Sequence, residues 1–168
     1  SFFPDGRRVA FVGGKEGESE ARLFVQDLNG GDPRAISPPG IRVSHLQGLP
    51  ISPDGRWVAA LGPNERIALF PTDAAPPRVI PELNVGVAPI AWSPDGHWLF
   101  VYRQNDLPVR ILKIDPETGR GGLWRELRPA DPAGIHGFPV IRLARDGKGY
   151  AYSYARFLHE LYLSRELK

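Results

Sequence analysis

Four histidines, His45, His97, His136 and His159, are the residues of this 168-residue chain best suited to move protons near neutral pH. No two of them stand at H-x-x-x-H or H-E-x-x-H spacing, so the sequence carries no zinc signal. Cysteine is absent, which excludes disulfides, thiolate nucleophiles and thiolate-held metals. No serine stands in a G-x-S-x-G elbow. Gly13-Gly14-Lys15 has neither the spacing nor the following Ser/Thr of a phosphate-binding loop and reads as part of a hairpin connection. There is no G-x-G-x-x-G loop, no His-Arg-Asp and no Asp-Phe-Gly, so the chain holds no protein-kinase catalytic core. Glu18 and Glu20 read as loop charges. These residues point to no catalytic group, no metal ligand and no cofactor.

Binding is the better use for the polar residues that remain. Arg42 and His45 sit in one connecting segment, Arg103, Asn105 and Asp106 in a second, and His136 in a third. Each segment interrupts apolar runs, and loops on a rigid scaffold commonly carry function. The bland alternative for each is a solvated loop residue. Which of them share a surface depends on the elements that hold them.

Those elements are marked by a repeat. Phe3-Pro4-Asp5-Gly6, Ser52-Pro53-Asp54-Gly55 and Ser93-Pro94-Asp95-Gly96 each lead into an apolar run, and Ala144-Arg145-Asp146-Gly147 is a degenerate fourth copy. Pro presets φ at the second turn position, Asp bonds the backbone ahead of it, and Gly accepts positive φ. β-branched and aromatic residues before and after the turn make it a hairpin. Between successive copies there is room for two further strands, with turns such as Gly62-Pro63-Asn64-Glu65 and Asp115-Pro116-Glu117-Thr118-Gly119. A period of some 40–50 residues with four strands is that of a β-propeller blade.

The expected fold is therefore all-β: a partial β-propeller of about three and a half four-stranded antiparallel blades, as one segment. The approximate blades are 1–40, 41–83, 84–128 and 129–168, the first and last incomplete. A last-blade strand is expected over Glu160–Leu163. In this frame His45 and His136 fall in links entering an innermost strand, and the 103–106 connection lies at the same end of its blade. Arg42, His45, Arg103, Asn105, Asp106 and His136 thus form one candidate binding face. The tryptophans Trp57, Trp92, Trp98 and Trp124 pack between blades by default, an aromatic platform being the sharper alternative.

Composition agrees. Gly and Pro make up 37 of 168 residues, nearly double the usual share of about 7% and 5%, while 42% of residues are hydrophobic. Long helices and disorder are both disfavoured. The net charge of +2 offers no electrostatic footprint for nucleic acid. No run approaches the roughly 18 apolar residues of a membrane span.

The Ser-Pro-Asp-Gly repeats resemble those of TolB-like, WD-repeat-related bacterial β-propellers. The tail, with Ala130-Asp131-Pro132-Ala133-Gly134, Asp146–Tyr154 and Leu158–Leu163, resembles the end of propellers appended to bacterial serine/threonine protein kinases. The resemblance implies a non-catalytic sensor or scaffold region that binds a protein or small ligand, in an extracytoplasmic or periplasmic setting. A propeller attached to a hydrolase or serine peptidase, or a pure assembly module, is the alternative. Open blade edges also predict self-association.

Overall fold

Apolar runs between Pro-Asp-Gly turns form twelve strands in the computed structural model, which describes residues 1–14, 17, 20–42, 48–73, 75–103, 106–144 and 146–158. The first sheet holds β1 (Arg8–Gly13), β2 (Arg22–Asp27) and β3 (Arg34–Ala35) in that order. The second holds β4 (Trp57–Leu61), β5 (Ile67–Pro71) and β6 (Arg78–Val79). The third is four-stranded, with β7 (Val87–Trp92), β8 (Leu99–Arg103), β9 (Val109–Ile114) and β10 (Gly121–Leu127). The fourth pairs β11 (Ile135–Leu143) with β12 (Tyr150–Arg156). Every pairing is antiparallel between sequence neighbours.

The first two sheets also carry the trace of an innermost strand. Phe2 bridges Val9 and Ile51 bridges Val58, and the Ala59 amide donates to Pro50 O at 2.9 Å. The sheets are thus the blades of a partial propeller. The expected strand over Glu160–Leu163 lies outside the described residues.

Strands that are apolar throughout follow from packing on both faces. Ala10, Leu23 and Val25 of the first sheet meet Val58, Ala60, Ala68 and Phe70 of the second. The opposite face of the second, Ala59, Ile67 and Leu69, meets Leu99, Val101 and Ile114 of the third. The far face of the third, Phe100, Tyr102 and Ile111, meets Phe138, Ile141 and Tyr152 of the fourth. Alternate residues of β4, β5 and β8 therefore enter two different cores, the two-fold period of a strand used twice. Trp57, Trp92 and Trp124 are partly buried at the margins of these cores, the packing role expected for them.

The repeated turn is a hydrogen-bonded unit. Gly55 N donates to Ser52 O at 2.8 Å, and Gly55 takes φ 68°. The Ser52 hydroxyl accepts from Trp57 N at 2.9 Å and donates to Asp54 Oδ1, which also accepts from Arg56 N at 3.0 Å. Ser93, Asp95 and Trp98 repeat this arrangement. In the first copy Phe3 offers no hydroxyl, and Arg8 instead pairs with Asp5 at 2.8 Å while lying 4.2 Å over the Phe3 ring. The degenerate copy still closes, Gly147 N donating to Ala144 O at 2.9 Å. Consecutive turns also touch: a Cβ on Gly96 would meet Pro53 at 3.7 Å, and one on Gly147 would meet Pro94 at 3.5 Å.

Candidate functional site

The register places the expected binding residues at one end of the sheets but does not assemble them. Arg42 bridges Leu61 at the end of β4, and its Nη1 is 2.6 Å from Glu65 Oε1 in the turn after that strand. Arg103, at the end of β8, pairs in register with Val87 at the start of β7. His136 stands one residue beyond the Ile135–Arg156 pair. All these strand ends share the side opposite the Pro-Asp-Gly turns. None of Arg42, Arg103, Asp106 and His136 bonds to another of the four. His136 corrects the sequence reading: it belongs to β11 itself, not to the link before it. Backbone pairing with β12 begins at Ile135 because Gly134 lets the Phe157 amide reach its carbonyl at 2.9 Å. The His136 ring packs edge-on to Phe157 with centroids 5.2 Å apart. His45 and Asn105 lie outside the described residues.

A concave site forms instead at the turn end, between the second and third blades. It is a cleft of about 440 Å³ walled by Asp54 and Trp57 of one blade and by Trp92, Asp95 and His97 of the next, with Arg78 and Glu117 at its rim. Local rules bring these residues there. Asp54 and Asp95 are the turn aspartates of consecutive repeats. Glu117 belongs to the β9–β10 turn, which a blade's antiparallel order puts at the same end as its Pro-Asp-Gly turn. Arg78 is on the outermost strand of the second sheet and reaches across to the third.

The electrostatics are mixed. The Arg78 guanidinium lies 5.0 Å over the Trp57 ring, and its Nη1 is 3.5 Å from Glu117 Oε1. His97 Nδ1 is 3.6 Å from Asp95 Oδ2. The Ser93 hydroxyl, then the His97 amide, hold the Asp95 carboxyl below the usual range. For Asp54, burial pushes upward, but the Ser52 hydroxyl and the Arg56 amide and charge outweigh it and the net shift is down. Both aspartates are therefore carboxylates at neutral pH, and each spends one oxygen on its own turn. The Trp92 indole Nε1 is buried and finds no acceptor among the described residues.

The arrangement can accept hydrogen bonds and hold a cation against an aromatic face. Among the described residues, no three His, Asp or Glu side chains are grouped to hold a metal ion. The sequence names Asp54 and Asp95 only as turn formers, and Trp57 and Trp92 as packing residues first, with an aromatic platform as the sharper alternative. The recurrence of Asp beside Trp at Asp54/Trp57 and Asp95/Trp98 was the available signal. The placement of Glu117 and Arg78 beside them is set by blade-to-blade packing and has no local signature.

Comparison with known proteins supports the fold. TolB from Acinetobacter baumannii superposes with a TM-score of 0.64 at 18% identity, over 90% of this chain and 36% of that one. A TolB-assigned protein from Agrobacterium tumefaciens gives 0.62 at 21% identity, over 90% and 51%. An oligogalacturonate lyase in complex with manganese gives 0.56 at 14% identity, over 90% and 50%. The chain thus spans about half or less of the length of these solved structures. No family model and no curated protein matches it. The chain has a TolB-like β-propeller fold.

Proposed function

We propose that this chain is a non-catalytic propeller segment that binds a protein or small-molecule ligand, as the sensor or scaffold region of a larger bacterial protein. The observation that carries this reading is the cleft between the second and third blades. Its walls are hydrogen-bonded turns and the ends of strands that pack between blades, so its shape is set before any ligand arrives, as in most binding sites. Its aspartates are committed to turn hydrogen bonds and held ionised, which suits them to accept hydrogen bonds rather than to shuttle protons. A fragment screen by NMR tests the reading. Perturbation of the Trp57 and Trp92 indole signals by some fragment class is expected; a panel of anions, cations and neutral aromatics that moves neither would sink it.

Linkage to a serine/threonine kinase belongs to the same proposal and is supported by the resemblance of the tail. A kinase domain and a membrane span encoded upstream, with this segment outside the cytoplasm, is the expected arrangement. A leader peptide alone in that position would refute the kinase link.

A second reading, self-association, is favoured by the outward face of the first blade. Phe11 and Phe24 stack with centroids 5.6 Å apart and belong to none of the inter-blade cores; Phe24 is buried and Phe11 half-buried, while Phe2, which bridges Val9 in the same sheet, is 71% exposed. An apolar blade face of this kind suits another blade, supplied by a further part of a longer protein or, for the 168-residue chain by itself, by a second copy.

A further inference from the structure

The cleft already holds a stand-in for its own occupant. Arg78 reaches it from β6 and sets its guanidinium over Trp57 and beside Glu117, the two contacts by which proteins commonly hold organic cations. Arg78 does not neutralise the site. Among the charged carboxylate and guanidinium groups of the lining, Asp54, Asp95 and Glu117 outnumber it, while Arg56 and Lys113 act on Asp54 and Asp95 from outside the lining. Asp54 Oδ2 receives no donor among the described residues, and Asp95 Oδ2 has only the 3.6 Å approach of His97. Trp92 brings a different demand: its buried N–H lacks an acceptor, and an unmatched buried donor is costly.

Resting on the reading of the cleft as a binding site, we infer that it takes an arginine or lysine side chain presented by an extended peptide. The cation meets Asp95, Glu117 and the Trp57 face, where it competes with Arg78. The peptide carries a carbonyl close to that cation, and a small shift of the Trp92 ring, which lines the cleft with its N–H covered, gives that N–H an acceptor that a free cation does not. The carboxylates of Asp95 and Glu117 are 59% and 73% exposed, so the attraction is screened by water and salt. Binding is accordingly weak for a single residue and falls as salt rises.

The test uses the whole isotope-labelled chain and follows the indole N–H signals of Trp57 and Trp92, with Trp124 as a remote control. The probes are acetyl-arginine methylamide, its lysine and citrulline counterparts, and methylguanidinium. Saturable shifts at Trp57 and Trp92 are expected with the arginine and lysine probes. Citrulline, which keeps the shape and loses the charge, should bind about tenfold more weakly, as the loss of a charge-assisted contact implies. Methylguanidinium should bind more weakly than the arginine probe. Glu117→Gln should weaken binding, whereas Arg78→Ala should strengthen it severalfold by removing the internal competitor. A purely structural role for Arg78 would not tighten binding when it is lost. Both positions are exposed, and thermal melts of the two variants check that the fold is kept.

Citrulline binding as well as arginine, or Arg78→Ala leaving affinity unchanged or lower, overturns the inference. Methylguanidinium matching the arginine probe overturns its peptide part. If neutral or anionic fragments shift the two indoles while cations do not, the cation inference fails and the cleft survives as a binding site. If no probe shifts them, both fall.

Discussion

At the scale of single residues, the glycines separate two kinds of constraint. A Cβ on Gly119 would lie 1.8 Å from the Pro81 carbonyl oxygen, and its φ is 73°. Gly119→Ala must therefore move the backbone of the neighbouring blade as well as strain its own. A loss of about 2 kcal/mol or more is expected in urea unfolding, the range of strained or overpacked substitutions. Gly122, in β10, would place a Cβ with nothing within 4 Å of it and has no positive φ; Gly122→Ala should change stability by no more than about 0.5 kcal/mol. Sequence composition alone treats these two glycines alike. What distinguishes them is a contact with the preceding blade.

The turn aspartates make a second residue-scale prediction, in pH. The carboxyls of Asp5, Asp54 and Asp95 are all lowered in the folded chain. Lowered folded values mean that their contribution is present above the unfolded value of 3.8 and is lost as pH falls through the folded values. Urea midpoints should hold between pH 7 and pH 5 on this account and drop below about pH 4. Asp95→Asn should be less stable than the parent at pH 7, with the difference shrinking at pH 3. A difference that stays constant across that range would contradict the assignment.

At the scale of elements, a turn and the strands it joins were readable because their rules are local. Asp and Gly at consecutive positions, preceded by Pro in three copies, determine the hairpin, and the fourth copy closes with Ala in place of Ser and Arg in place of Pro. Ser93→Ala tests how much the hydroxyl adds to that unit. It removes the acceptor for Trp98 N and the donor to Asp95, and a cost of about 1–2 kcal/mol follows for buried groups of this type. The start of β11 was less readable. Ile135, His136 and Gly137 look like part of a link, yet pairing with β12 draws them into the strand, and their partners Ala155 and Arg156 lie beyond the next turn. The candidate face of Arg42, Arg103, Asp106 and His136 lies at one end of the sheets, as strand order implies. Its residues nevertheless remain in separate blades, because side-chain convergence is a property of curvature between blades that strand order does not encode.

Across the whole molecule, the three inter-blade cores hold the sheets in series. Leu69, fully buried between the second and third blades, and Ile111, fully buried between the third and fourth, should each cost about 2–5 kcal/mol as alanine. The two-fold alternation of those strands was visible as uninterrupted apolar sequence; which core each residue enters was not. The outward face of the first blade belongs to this scale as well. Sedimentation of the 168-residue chain is expected to show self-association at micromolar concentration, reduced by Phe2→Ser. A single monomeric species for both would argue against a second copy on that face.

The seating of Gly96 on Pro53, and of Gly147 on Pro94, gives the array a unit cell. The third and fourth repeats are each registered on the one before at the same pair of residues, whereas Gly55 of the second faces Phe3 and Arg8 of the first. The molecule is then a short one-dimensional lattice, with nearest-neighbour couplings. Excising residues 53–93 fuses Ser52 to Pro94 and removes one lattice step while restoring the same turn. The shortened chain should still melt cooperatively, at a lower temperature, and hydrogen exchange should show the restored turn protected.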